Sequence, residues 1–288
     1  MFPGTFEYHR ATSVKEALEL LKQFGDAKLL AGGHSLLPMM KLRLAQPAHL
    51  VDIGAVSELA QISEEPGKLI IGAAATHDQV ANSELVRSRS GLLAQCAAAI
   101  GDVQVRNRGT IGGSLAHADP AADYPAAILA LAAEITLVSE HGARVVAAED
   151  FFVDLMTTAA APNEILTRVT MAPLPAGAGF AYLKHRQPAS GFAIVGVAAW
   201  LTLNRRGQCE RVRVAITGLG PKAFRAKAVE TAITGKAPDP ASLNTAAAHA
   251  ADGIDPLADI HASAEFRAEL ARVYTQRALA AALAATTK

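Results

Sequence analysis

Two diglycine turns, each followed closely by a serine, constrain this chain more than any other feature. The first is Gly32-Gly33-His34-Ser35, and the second, 80 residues later, is Gly112-Gly113-Ser114. Glycine permits backbone conformations and close approaches that a side chain forbids. A glycine turn that opens a helix directs unpaired N–H groups and the positive end of a helix dipole at one point, which suits a phosphate. The two turns are either a cradle for the two phosphates of one dinucleotide or helix-entry turns without a ligand.

The sequence around both turns predicts alternating helices and strands. Ser13 or Thr12 is suited to cap a helix that ends near Gly25. The spacing of apolar residues predicts further helices over 36–44, 76–82, 92–100 and 123–133, and strands over 28–31, 49–53, 68–72, 135–139 and 143–147. The first 55 or so residues therefore form one small α/β unit, and a mixed second unit follows it.

A domain boundary is expected where two prolines and a glycine interrupt the chain, at 172–177. We place one domain at 1–175, with subdomains of about 1–55 and 56–175, and a second domain at 176–288. Three strands are predicted after the boundary, at 179–185, 192–203 and 210–217. Apolar and polar residues alternate in the third, which is typical of a sheet with one wet face. The remainder is predicted to be helical.

Composition excludes several classes of protein. Lys+Arg and Asp+Glu each number 27, so the chain lacks the basic footprint of a nucleic-acid-binding protein. Two cysteines are too few for a disulfide framework, a thiolate zinc site or an iron–sulfur cluster, and they suit a reducing compartment. No secretory signal is visible at the start, and the longest apolar stretch is shorter than the roughly 20 residues of a transmembrane helix. We expect a cytoplasmic protein without a transmembrane segment.

Other functions of the glycines are less well supported. Residues 112–116 resemble a nucleophile elbow but lack its final glycine. Residues 218–223 mimic a dinucleotide fingerprint but lack the following strand with its acidic residue. No two histidines are four residues apart, so a metal site on a helix face is unsupported. His34 and His117, beside the two turns, are expected to be loop or core residues rather than bases. We therefore expect no catalytic residue and no metal ligand in this chain.

At these turns the chain closely resembles a known family. The motifs are 31–35 (AGGHS) with 36–41 (LLPMMK), 110–114 (TIGGS) and 119–123 (DPAAD). They are similar to those of the FAD-binding medium subunit of bacterial molybdenum hydroxylases, of the carbon monoxide dehydrogenase type, in the xanthine dehydrogenase family. The resemblance covers essentially the whole chain. It implies an α+β protein: a vanillyl-alcohol-oxidase-like (PCMH-type) FAD-binding domain of two α/β subdomains, then a domain of three antiparallel strands with helices.

The resemblance also implies the residues that bind the cofactor. The two loops whose backbone would hold the FAD diphosphate are Ala31, Gly32, Gly33, His34, Ser35 and Thr110, Ile111, Gly112, Gly113, Ser114. Ile111 is expected beside the isoalloxazine. Asp123 matches an acidic position near the adenosine ribose, or else caps the following helix. Phe192 matches a neighbour of the flavin ring, or else is a core strand residue. Ser114 replaces the commoner Asn, and Gly191 stands where many relatives carry Asp.

The function implied is electron transfer within a larger enzyme. In the family, a large subunit with a molybdenum–pterin cofactor oxidises the substrate, and a small subunit carries two [2Fe–2S] clusters. The medium subunit holds FAD non-covalently and delivers electrons to an acceptor, in a complex expected to be a dimer of heterotrimers. The alternatives are a free-standing FAD-dependent oxidase or dehydrogenase, and an assembly module without a ligand. The substrate (carbon monoxide, an aldehyde, a purine or another N-heterocycle) and the acceptor (quinone, NAD, cytochrome or oxygen) stay open.

Overall fold

A three-stranded parallel sheet forms the start of the chain. The computed structural model describes residues 2–286; Met1, Thr287 and Lys288, at the outer ends of the two predicted domains, lie outside the described residues. Strands and helices here are β1 (Glu7–Arg10), α1 (Val14–Gln23), β2 (Lys28–Leu30), α2 (Leu36–Lys41) and β3 (His49–Asp52). The strand order is β1-β3-β2, and α1 packs on β3. The Ser13 side chain accepts from the backbone N–H of Glu16, so the predicted cap of α1 is confirmed.

The second unit is built on a five-stranded antiparallel sheet in the order β4-β5-β10-β6-β7. Its strands are β4 (Ile62–Glu65), β5 (Lys68–Gly72), β6 (Glu134–Ser139), β7 (Gly142–Ala147) and β10 (Ile165–Met171). Its helices are α3 (His77–Asn82), α4 (Glu84–Arg89), α5 (Gly91–Ala98), α6 (Val103–Arg106), α7 (Ile111–His117), α8 (Tyr124–Ala130) and α9 (Ala148–Phe151). A small hairpin of β8 (Phe152–Asp154) and β9 (Thr157–Thr158) lies beside them.

The third unit is an antiparallel sheet covered by helices. Its elements are β11 (Gly179–Arg186), β12 (Ala193–Leu203), β13 (Cys209–Thr217), β14 (Phe224–Arg225), α10 (Lys227–Ile233), α11 (Pro240–Ala247) and α12 (Ala264–Ala284). The three predicted strands are confirmed, and the two-residue β14 adds a short fourth strand to the sheet. Within residues 2–286, no helix is long and apolar enough to cross a membrane.

Strand β12 is the element that joins the second and third units. Ala198 and Trp200 lie in the core of the second unit, whereas Val197 and Leu201 lie in the core under α10–α12. The Trp200 indole donates to the carbonyl oxygen of Ala130, at 2.7 Å. Because both faces of β12 are buried, its sequence reads as a continuous apolar run rather than an alternating one.

Two helices are shorter than predicted, for the same local reason. The helix predicted over 36–44 ends at Lys41, and Arg43 adopts a φ of +61°. The helix predicted over 123–133 runs from Tyr124 to Ala130, and Ala132 has a φ of +49°. A left-handed residue stops the helical hydrogen-bond ladder. The apolar residues Leu42, Leu44, Leu131 and Ala133 continue past both stops, so the sequence pattern does not show where the helices end.

Candidate cofactor site

The two glycine turns lie directly against each other. Gly32 follows β2 at the carboxyl edge of the parallel sheet, the edge where ligands bind in open α/β sheets. A Cβ atom at Gly32 would lie 2.3 Å from the carbonyl oxygen of Arg108 and 2.7 Å from Cα of Gly109. Those two residues immediately precede Thr110. Only glycine permits this backbone contact, which makes the two turns one continuous surface.

The first turn offers free backbone donors. Among residues 2–286, no acceptor takes the amide hydrogens of Gly32, Gly33, His34 or Ser35. Gly33 has a φ of +76°, in the left-handed region that glycine enters without strain. Backbone N–H groups need partners, and a run of consecutive free amides is a typical anion-binding feature. The structure therefore fits a phosphate group at this turn.

The second turn is organised differently. Thr110 caps α7, and its Oγ1 accepts from the N–H of Gly113 at 3.1 Å. The N–H of Ile111 donates to Ala75 at 3.0 Å, and that of Gly112 donates to Ala73 at 2.8 Å. The expectation of unpaired N–H groups is therefore correct at the first turn and wrong at the second, because α7 docks its first turn onto the loop after β5.

Packing explains why glycines are needed at the second turn. A Cβ atom at Gly112 would lie 2.5 Å from Cβ of Ala73, so this glycine lets α7 approach the chain before α3. Gly113 is exposed and Ser114 half-exposed, whereas the side chain of Ile111 is fully buried. A ligand at this turn therefore meets Gly113 and Ser114, whereas Ile111 has no exposed surface in this structure. Its position beside a flavin ring stays a prediction.

Asp123 lies in a buried polar cluster rather than at the surface. One carboxylate oxygen accepts from the Tyr182 hydroxyl, and the other accepts from Nζ of Lys184 at 2.9 Å. Asp123 is only 4% exposed; burial raises the pKa of its carboxyl, and the Lys184 ammonium opposes that shift. Asp123 does stand at the N-cap position of α8, as the alternative expects, but its side chain makes no capping hydrogen bond. Contact between Asp123 and a ribose stays a prediction.

Phe192 lies at the end of a tight turn before β12. The N–H of Gln187 donates to the carbonyl oxygen of Phe192 at 2.8 Å, and the N–H of Gly191 donates back to Gln187 at 2.9 Å. Phe192 is 42% exposed, so the alternative of a core strand residue is wrong. Gly191 has a φ of +76°, and its added Cβ would lie 3.2 Å from Cα of Gly101. This turn therefore adjoins the segment that leads into Thr110.

His77 packs against Gly109, the residue that precedes the second turn. Its backbone N–H donates to the carbonyl oxygen of Gly109 at 2.9 Å, and a Cβ atom at Gly109 would lie 2.5 Å from its Nε2. Burial, followed by the charges of His34 and Arg106, lowers the pKa of His77 to about 4. No motif in the sequence points to His77 as a residue of the site. The capping box of Thr76 and Gln79 marks the start of α3, the helix that contains His77. It gives no sign of the contact between His77 and Gly109.

Among residues 2–286, the polar contacts of the two histidines next to the turns are local. Nδ1 of His34 lies 3.1 Å from the carbonyl oxygen of Gly32, two residues away. Nε2 of His117 lies 4.0 Å from a carboxylate oxygen of Asp119. Both contacts are with residues of the same short segment. Sequence analysis expects loop or core residues: His34 lies in a loop, whereas His117 is the last residue of α7.

The fold and this surface define a flavoprotein. Residues 4–174 match the family described as the FAD binding domain in molybdopterin dehydrogenase. Residues 180–282 match the CO dehydrogenase flavoprotein C-terminal domain. The chain therefore belongs to the FAD-binding medium subunits of the molybdenum hydroxylases.

Full-length relatives support this assignment. The carbon monoxide dehydrogenase medium chain of Hydrogenophaga pseudoflava is 40% identical over 286 residues, 99% of each chain. Subunit alpha of the 6-hydroxypseudooxynicotine dehydrogenase complex of Paenarthrobacter nicotinovorans is 38% identical, over 98% of this chain and 96% of the relative. A solved structure of H. pseudoflava carbon monoxide dehydrogenase matches with a TM-score of 0.96 and 42% identity, over 100% of both chains.

These comparisons confirm four expectations. They confirm the family, the α+β fold class, the FAD cofactor and the role as an oxidoreductase subunit. They favour the subunit of a multi-subunit enzyme over a free-standing oxidase, because the relatives span the same length and are themselves named as chains or subunits.

Proposed function

We propose that this chain holds FAD non-covalently between its two glycine turns and passes electrons from a partner subunit to an external acceptor. The observation that carries the proposal is the contact of Gly32 with the backbone of Arg108 and Gly109, which places free amides beside the cap of α7. In this proposal residues 1–175 form the FAD-binding domain and 176–288 the second domain. FAD, when bound, accepts electrons and passes them on, while the protein supplies binding, orientation and electrostatics.

Each part of the site has a distinct task in this proposal. The amides of Ala31–Ser35 (residues 31–35) bind the diphosphate, and Thr110–Ser114 (residues 110–114) complete the pocket through Gly113 and Ser114. Phe192 flanks the flavin ring from its fixed turn. Asp123 contributes from the adenosine side. Its carboxylate also anchors Lys184, which donates to the carbonyl oxygen of Gly191 at 2.6 Å and so holds that turn.

The partners follow from the family. We propose a large subunit with the molybdenum–pterin cofactor and a small subunit with two [2Fe–2S] clusters, assembled in the cytoplasm as a dimer of heterotrimers. Two buried, unpaired cysteines leave this chain without a ligand set for a cluster of its own. The substrate is oxidised on the large subunit. Carbon monoxide and 6-hydroxypseudooxynicotine, which the names of two relatives give, are candidates, as are aldehydes, purines and other N-heterocycles.

Gly32→Ala tests the cradle. The added methyl group collides with the carbonyl oxygen of Arg108, so the turns must separate, and the flavin absorbance per chain is expected to fall to a small fraction of the wild-type value. Gly25→Ala is the matched control, because a Cβ atom there meets nothing within 4 Å. Circular dichroism checks that both variants fold. Full flavin occupancy in folded Gly32→Ala would refute the cradle.

Purification from the source organism tests the partners. The native protein is expected to co-purify with two other subunits, and metal analysis of the complex should find molybdenum and iron. A monomer whose flavin is reduced directly by substrate, with neither metal present, would refute the proposal. It would support the alternative function of a free-standing oxidase.

A further inference from the structure

We propose that Glu7, His9 and His49 form a binding site for a single divalent transition-metal ion, with Zn²⁺ as the best match. The three side chains project from neighbouring strands of the parallel sheet, at the edge opposite the glycine turns. The site is therefore separate from the cofactor surface described above. Its ligands are two imidazole nitrogens and one carboxylate.

The sheet register brings the ligands together. Glu7 and His9 are two residues apart on β1, so their side chains share one face of the sheet. His49 is the direct cross-strand partner of Glu7 in the parallel ladder between β1 and β3. All three therefore lie on the same face without any loop contributing. A site on two paired strands is more rigid than one on loops.

The donor atoms surround one point at bonding distance. Nε2 of His9 lies 3.0 Å from Nδ1 of His49, and a carboxylate oxygen of Glu7 lies 3.9 Å and 3.7 Å from these two nitrogens. A point equidistant from the three atoms is about 2.1 Å from each, which is the length of a Zn–N bond. A cation at that point would lie at bonding distance from all three donor atoms.

An aromatic ring holds both imidazoles in place. Phe24 stacks on His9 with a centroid distance of 4.5 Å and on His49 with 4.0 Å, at interplanar angles of 22° and 15°. The two imidazoles therefore both pack on the phenyl ring, with their own centroids 5.3 Å apart and their planes tilted by 33°. Packing against one phenyl ring limits the rotation of both imidazoles and keeps Nε2 of His9 close to Nδ1 of His49.

The chemistry of the set selects the metal. Imidazole favours zinc, copper, iron and nickel, whereas Mg²⁺ and Ca²⁺ prefer oxygen ligands throughout. Two histidines and one glutamate are a known zinc ligand set that leaves a position for water. The Glu7 side chain is 72% exposed, so solvent reaches the site and can complete the coordination. Because its ligands lie on both β1 and β3, the metal would stabilise the pairing of these two strands.

The competing explanation is a simple hydrogen bond. In that case one histidine donates a ring N–H to the other across the 3.0 Å contact, and no ion binds. The two explanations differ in metal affinity and in what happens when Glu7 is changed, since the hydrogen bond does not involve its carboxylate.

Zinc titration of the full chain, after removal of metals with a chelator and desalting, tests the site against a chromophoric indicator. We expect one tightly bound equivalent, lost in His9→Gln and His49→Gln. Glu7→Gln, an exposed change that the fold should tolerate, is expected to weaken binding by more than roughly tenfold, the scale on which even outer-shell changes act. His249→Gln is the control, because His249 contacts Asp252 at 2.7 Å but belongs to no cluster of three metal-ligating side chains within residues 2–286.

A second measurement identifies the ligand atoms instead of the affinity. With one equivalent of Cu²⁺, the electron paramagnetic resonance spectrum should show coupling to two nitrogens in the wild type and to one in His49→Gln. Flavin occupancy should be the same in Glu7→Gln and the wild type, which separates this site from the proposed FAD site. Failure of the wild type to compete with the indicator for zinc, or an unchanged zinc affinity in Glu7→Gln, would overturn the proposal. Loss of zinc binding in His249→Gln, with binding retained in His9→Gln and His49→Gln, would also overturn the proposal.

Discussion

Lys184 donates from one ammonium group to both the Asp123 carboxylate, at 2.9 Å, and the Gly191 carbonyl oxygen, at 2.6 Å. The side chains of the pair are only 6% and 4% exposed. Asp123 stands at the start of α8, and Gly191 precedes Phe192. One buried ion pair thus connects the core of the second unit to the turn proposed to flank the flavin ring.

Lys184→Met is expected to destabilise the chain by about 3–5 kcal/mol, because it leaves the Asp123 charge buried without its partner. Removing the charge as well, in Lys184→Met with Asp123→Asn, should recover a large part of that loss. Urea unfolding of both variants measures the two values. Equal losses in the single and double variants would contradict an unpaired charge as the cause.

His77 is expected to make the fold sensitive to acid. Its pKa is lowered from 6.5 to about 4 in the folded chain, so between these values the unfolded chain binds a proton that the folded chain does not. Stability therefore falls as the pH decreases from 6.5 to 4. At 1.36 kcal/mol per pKa unit, this residue accounts for a loss of at most about 3 kcal/mol.

Unfolding free energies at several pH values test this dependence. His77→Gln should show a smaller decrease between pH 6.5 and 4 than the wild type. His141→Gln, whose side chain is 81% exposed, should keep the wild-type decrease. Since the His77 ring packs against Gly109, the wild type is also expected to release flavin in the same pH range. Identical pH profiles for His77→Gln and the wild type would refute the role of this imidazole.

Phe192→Leu is expected to change the flavin environment more than the fold. Because the side chain is 42% exposed, its truncation should cost less than about 1 kcal/mol of stability. The visible flavin absorbance should shift, and flavin affinity should decrease, if the ring lies beside this residue. Phe266→Leu is the control, because Phe266 is 46% exposed on α12, outside the proposed flavin site. An unchanged flavin spectrum in Phe192→Leu would place the ring elsewhere.

Local signals allowed much of the fold to be predicted. Ser13 marks the start of α1, and the apolar run of β12 marks a buried strand. Both features are local, because a helix cap or a buried strand can be recognised from a few consecutive residues. Strand β4 was missed, since its sequence, Ile62-Ser63-Glu64-Glu65, is mostly exposed at the edge of the sheet. Strand β10 was missed as well, although it is central. Its polar residues interrupt the apolar pattern, and a β-bulge lies between Leu166 and Arg168.

Long-range contacts were the part that sequence patterns did not reveal. The partners of Asp123, Tyr182 and Lys184, are 59 and 61 residues away, so no spacing rule points to them. Histidines four residues apart mark a metal site on one helix, and this sequence has no such pair. Glu7, His9 and His49 meet instead through the register of two parallel strands, which only the fold defines.

The last prediction concerns whether this chain performs substrate chemistry of its own. The isolated chain loaded with FAD is expected to be reduced by dithionite but not by carbon monoxide, aldehydes, purines or N-heterocycles. The reason is positional, since in the described part of the chain the polar partners of His34 and His117 are Gly32 and Asp119, within two residues of each. Adding the two partner subunits should restore reduction of the flavin by the substrate.

Variants in the reconstituted complex separate cofactor binding from chemistry. His34→Ala and His117→Ala should leave the rate at which substrate reduces the molybdenum centre unchanged, and any loss should appear in flavin content or in delivery to the acceptor. Rapid-mixing spectroscopy of the molybdenum and flavin signals measures the two steps independently. If either variant slowed molybdenum reduction while FAD content and assembly stayed intact, the catalytic site would have to include this chain, and its role would extend beyond electron transfer.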